Sequence, residues 1–85
     1  MTQQEIRDFM IAVAEREADA RPLFPGTKFA TLNIDARGRR ALAVVMVREF
    51  RGKGCALDGL DLGKTEKMAT LGDMISEFVG HLSCT

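Results

Sequence analysis

The sequence has no tryptophan and no tyrosine, and its five phenylalanines lie singly and apart. Without clustered aromatic rings there is no platform for stacking bases, the usual means of holding single-stranded nucleic acid. Net charge is also missing, because 12 basic side chains are balanced by 12 acidic ones. No apolar run approaches the roughly 20 residues of a membrane span. The stretch from Met1 to Arg7 lacks the basic-then-apolar order of a secretory leader, so a cytoplasmic location is the expectation. Cys55 and Cys84 are too few and too widely spaced for a zinc motif. In a reducing compartment a bond between them is not expected, and Cys55 reads as a small packing residue, Cys84 as part of a frayed tail. There is one histidine, His81. There is also no glycine-rich phosphate loop, no nucleophile–base pair and no ligand-spaced cluster of His or carboxylates. The chain therefore reads as a non-enzyme with no metal site.

What is present is 46% hydrophobic residues in 85, the profile of one small globular domain over residues 1–85. Thr2-Gln3-Gln4-Glu5 matches a capping box, and Ile6, Phe9, Met10 and Val13 follow at helical spacing, predicting a helix to about Ala18. Pro22, Pro25 and Gly26 then enforce a long loop to about Ile34, with Phe29, Leu32 and Ile34 expected to pin it to the core. Asp35 reads as the N-cap of a second helix to about Phe50, whose 41–47 stretch is apolar on almost every side. Gly52, Gly54, Gly59 and Gly63 punctuate a connection in which Leu57, Leu60 and Leu62 suggest a short helical turn. Thr70, with Asp73 in the capping-box position, opens a last helix carrying Leu71, Met74, Ile75, Phe78, Val79 and Leu82. Met46, Met68 and Met74 read as core filler. The fold class expected is all-α, a small four-helix bundle of three main helices and one short one.

Two blocks of residues carry a family resemblance. Phe29-Ala30-Thr31-Leu32-Asn33-Ile34-Asp35-Ala36, followed by an apolar helix ending Glu49-Phe50, resembles the Phe…Leu-Gly-x-Asp-Ser stretch and second helix of acyl carrier proteins. Lys67 to Leu71, with Ile75, Phe78, Val79, Gly80 and His81, is similar to the last helix of that family and its Gly-His ending. The resemblance covers most of the chain from Phe29 onward. It implies a phosphopantetheine-dependent carrier of acyl thioesters in fatty acid, lipid or polyketide-type biosynthesis. Asp35 and position 36 would form its attachment site. Its partners would be a phosphopantetheinyl transferase and enzymes of acyl-chain synthesis or transfer, and the carrier itself would be a monomer. The head of a helix suits the phosphate of such an arm, because its free N–H groups and partial positive charge face outward.

The chain departs from that pattern where the chemistry happens. Ala36 stands in place of the serine and has no nucleophile, so phosphopantetheine cannot attach there. An engineered replacement and a natural loss both fit. Arg37 stands where the family has leucine. From 36 to 53, six basic residues accompany a single acid, Glu49, for a net charge of about +5, whereas the family's second helix is acidic. Arg37, Arg40, Ala41, Val44 and Arg48 would form the partner-docking surface. The connection from Phe50 to Lys67 exceeds the family norm. The alternative is a non-carrying adaptor whose basic second helix binds an acidic protein or polymer. DNA binding is disfavoured by the zero net charge and the apolar body of that helix.

Overall fold

The computed structural model describes residues 1–84. The protein is mostly helical, with α1 (Gln3–Ala18), α2 (Ala36–Gly52), the short α3 (Leu62–Thr65) and α4 (Leu71–His81). A small antiparallel sheet pairs β1 (Cys55–Leu57) with β2 (Leu82–Cys84).

Both capping boxes form. Thr2 Oγ1 accepts the Glu5 N–H at 3.1 Å, and Glu5 Oε1 accepts the Thr2 N–H at 2.9 Å. That backbone hydrogen bond, aided by the Thr2 hydroxyl, holds the Glu5 carboxyl below the ordinary glutamate range. Thr70 and Asp73 make the same reciprocal pair at the head of α4. The buried faces then match the helical periodicity: Ile6, Met10, Val13 and Ala14 on α1, and Leu42, Ala43, Met46 and Phe50 on α2. From α4 come Leu71, Met74, Ile75 and Phe78. The three helices meet at Phe50, which is fully buried, with Phe9 edge-on at 4.9 Å and Phe78 tilted at 6.1 Å. Such a ring contributes both its buried area and specific aromatic contact.

The long first loop, which includes a cis Arg21–Pro22 peptide, is laced to the head of α4. Phe29 donates its N–H to the Ala69 carbonyl at 3.0 Å; Leu71 and Gly72 donate theirs to Thr27 and Pro25 at 3.0 and 2.6 Å. The last two bonds satisfy N–H groups that the first turn of α4 leaves free. Gly72 is required by this approach, since a Cβ there would lie 2.8 Å from the Pro25 carbonyl oxygen. Phe29 is buried and opens a 3-10 turn, Phe29–Leu32, while Leu32 and Ile34 pack half-buried against the core. The loop is pinned by the residues expected to pin it.

The region after α2 corrects four expectations. No helical turn forms over Leu57–Leu62. Gly54 and Gly59 adopt left-handed φ of 81° and 78°, which bends the chain at both ends of the segment. Between them Cys55, Ala56 and Leu57 run extended opposite Cys84, Ser83 and Leu82. The helical turn comes later, at Leu62–Thr65, capped by Asp61 accepting the Gly63 N–H at 2.9 Å. The fold is therefore not all-α. The cysteines are also not free: Cys55 and Cys84 form a disulfide across 29 positions of sequence. Cys55 is buried as expected, but Cys84 is part of β2 rather than a frayed tail. The cause is geometric, because α4 runs into β2 without an intervening loop and delivers Cys84 opposite Cys55.

His81 secures this junction. Its Nδ1 lies 3.0 Å from the Asp58 carbonyl oxygen and its Nε2 lies 3.2 Å from Glu77 Oε1, while Glu77 Oε2 receives Lys64 at 3.3 Å.

Candidate functional site at the head of α2

The chain enters α2 through a fixed turn. Asn33 takes a left-handed φ of 56°, and the Ile34 N–H returns to the Phe29 carbonyl at 3.0 Å. Asp35 is extended, and its Oδ1 accepts the Gly38 N–H at 2.8 Å, while its carbonyl accepts the Arg39 N–H at 2.9 Å. Asp35 is thus an N-cap in full, and its carboxylate serves the helix itself. Ala36 is the first residue of α2 and is exposed. The Thr31 hydroxyl, five residues upstream of position 36, donates to the Lys28 carbonyl at 2.7 Å.

Beside this turn lies an open cleft of about 320 Å³ between the end of α1 and the first half of α2. Glu17, Asn33 and Asp35 give its lining polar groups, and Ala18, Ile34, Ala41, Leu42 and Val45 make most of the remaining wall apolar. Ile34 presses close to the helix because position 38 is glycine: a Cβ there would meet Ile34 Cγ2 at 3.0 Å.

Ala41 and Val45 also line a second, shallower groove of about 500 Å³ along the outer face of α2. Its lining is completed by Arg37, Arg40 and Arg48, which are exposed, by the half-buried Val44 and by Glu66. The five residues expected to form the docking surface are therefore neighbours, with Asp35 and Ala36 at one end. They extend about 16 Å along the helix at 1.5 Å per residue.

Electrostatically, the segment divides. Arg39 turns inward, donating from Nη1 to the Glu66 carbonyl at 3.2 Å and placing its guanidinium 5.7 Å from the centre of the Phe29 ring. Its Nε is buried without a hydrogen-bond partner among the described residues. Lys53 lies over the Phe9 ring at 4.7 Å. Glu49, the one acid of the segment, is drawn away to α1, where its Oε1 meets Arg16 Nη2 at 2.6 Å. Glu49 first, and Glu17 second, hold the Arg16 guanidinium above its ordinary value. Arg37, Arg40 and Arg48 consequently remain exposed, with no ion-pair partner among the described residues.

Three contributors were not singled out from sequence: Val45, Glu66, and the Glu17–Ala18 end of α1 that walls the cleft. Val45 stands four residues after Ala41 and was legible as a helical neighbour; Glu66 and Glu17 arrive only through tertiary packing. No group of three or more His, Cys, Asp or Glu side chains able to hold a metal ion exists among the described residues. No described helix is long and apolar enough to cross a membrane. Comparison with protein-family models, with curated proteins and with solved structures found no match in any of the three.

Proposed function

We propose that the protein is an acyl-carrier-like helical domain that docks on enzymes of acyl-chain synthesis or transfer through the outer face of α2, without carrying an acyl thioester of its own. The observation behind this reading is the placement of Ala36. It is exposed at the first position of α2, directly after an N-capping Asp35 and beside a largely apolar cleft. The residues present do not fit phosphopantetheine, because attachment needs a hydroxyl at position 36 and alanine has a methyl group. What this chain offers instead is a basic surface around that position.

The charge on that surface sets the chemistry of the partner. Arg37, Arg40 and Arg48 are exposed around a floor of Ala41, Val44 and Val45, so a complementary face is acidic at its rim and apolar at its centre. The same unpaired arginines support the second reading, a non-carrying adaptor for an acidic protein. A purely ionic polymer is the weaker match, since it would satisfy the arginines but leave the apolar floor wet.

The test is the binding of acyl-chain synthesis and transfer enzymes to this protein and to an Arg37→Glu/Arg40→Glu variant, across a salt series. Reversal should weaken a true partner by about tenfold or more at low salt, and the difference should shrink as salt rises. If every enzyme binds both forms equally, α2 is not the docking face.

A further inference from the structure

The only covalent cross-link among the described residues joins the last rung of the sheet. Cys55 is buried at 4% exposure, whereas Cys84 is exposed near the C-terminal end of the chain. The sheet they close has three paired positions, Cys55–Cys84, Ala56–Ser83 and Leu57–Leu82. A two-stranded ladder that short is marginal without support. Apart from Cys55, the buried core belongs to the helices and loops: Met10, Met46, Phe50, Met74 and Phe78 are all fully buried in α1, α2 and α4. The head of α4 is fixed independently by its capping box and by the loop hydrogen bonds to Thr27 and Pro25. Its far end is held by His81, whose ring lies between the Asp58 carbonyl and Glu77.

We propose that the Cys55–Cys84 bond is a redox latch on the C-terminal strand: reduction by a dithiol frees Leu82–Cys84 from β1 while the helical body stays folded. Cys84, the exposed residue of the pair, is the point of attack. A thiolate of the dithiol bonds to Cys84 Sγ as the bond to Cys55 Sγ breaks, and Cys55 leaves and takes up a proton. The second thiol then attacks the mixed disulfide, releasing Cys84 as a thiol and the reagent as its cyclic disulfide. Two electrons and two protons pass to the protein. The latch stands apart from the function proposed for α2 and does not require it.

The test is amide hydrogen exchange on the whole chain, oxidised and after reduction with dithiothreitol. The Cys55→Ser/Cys84→Ser variant is measured alongside, and far-ultraviolet circular dichroism reports the helices. Reduction should bring the amides of β1 and β2 close to unprotected exchange, while the slowest amides of α1, α2 and α4 lose no more than the roughly few-hundredfold that the lower global stability imposes and stay protected. The double variant should match the reduced protein. Unchanged protection in β2 after complete reduction would show that packing alone holds the strand. Loss of protection throughout the helices would make the bond a staple of the whole fold. Either result overturns the latch.

Discussion

Two glycines in α4 should respond to the same substitution with opposite signs. An exposed helical glycine replaced by alanine gains up to about 1 kcal/mol from propensity alone. Gly80 meets that condition, because a Cβ there finds nothing within 4 Å. Gly72 does not, since its Cβ would lie 2.8 Å from the Pro25 carbonyl oxygen and 3.3 Å from the Pro25 carbonyl carbon. Those are backbone atoms, and moving them disturbs the 2.6 Å bond from Gly72 N–H to Pro25 and its neighbour from Leu71 to Thr27. Overpacking of this kind costs roughly 1–3 kcal/mol, which offsets the propensity gain and leaves Gly72→Ala destabilised by up to about 2 kcal/mol. With a urea slope near 1 kcal/mol/M for a chain of this size, Gly80→Ala should raise the unfolding midpoint by roughly 0.5–1 M. Gly72→Ala should lower it by up to roughly 2 M on the same slope. Urea titrations followed by circular dichroism suffice. If both variants shift the midpoint in the same direction, the close approach of the first loop to α4 is not what restricts position 72.

Other perturbations probe the remaining layers. Phe50→Ala, which removes a fully buried ring between Phe9 and Phe78, should cost about 3–5 kcal/mol in urea unfolding. Opening the disulfide, which closes a span of 29 positions, should lower global stability by about 3.5 kcal/mol on chain-entropy grounds, read as the midpoint difference with and without reductant. The Glu5 carboxyl is held below its ordinary value by the Thr2 N–H, so its contribution is complete above the ordinary glutamate range, about pH 4.3. That contribution disappears as pH falls through the lower folded-state value. Thermal midpoints measured against pH should therefore fall less steeply on the acid side for Glu5→Gln than for the parent.

The elements with internal signals were readable from sequence. Thr2 with Glu5 and Thr70 with Asp73 marked two helix starts, Asp35 marked a third, and the periodic apolar positions identified the buried faces. The connection after α2 was not readable, because its structure depends on a partner far along the chain. Leu57, Leu60 and Leu62 have spacing compatible with a turn, but Leu57 is taken by pairing with Leu82. The disulfide was hidden for the same reason, and inferring a reducing location argued against it. At the site, sequence brought Arg37, Arg40, Ala41, Val44 and Arg48 to one helix face, where the structure also has them. It counted Glu49 against the arginines, yet Arg16 on α1 takes that carboxylate away. Cross-helix pairing of this kind has no signature in local spacing.

The measurement that bears most directly on the acyl-carrier-like reading is intact mass after incubation with coenzyme A and a permissive phosphopantetheinyl transferase. The parent chain and Ala36→Ser are treated identically. Ala36→Ser should gain the mass of one phosphopantetheine arm and the parent none, which would identify residue 36 as the attachment position of a carrier-type domain. If Ala36→Ser also stays unmodified, the head of α2 is not a surface a transferase accepts, and the acidic-partner adaptor becomes the reading to keep.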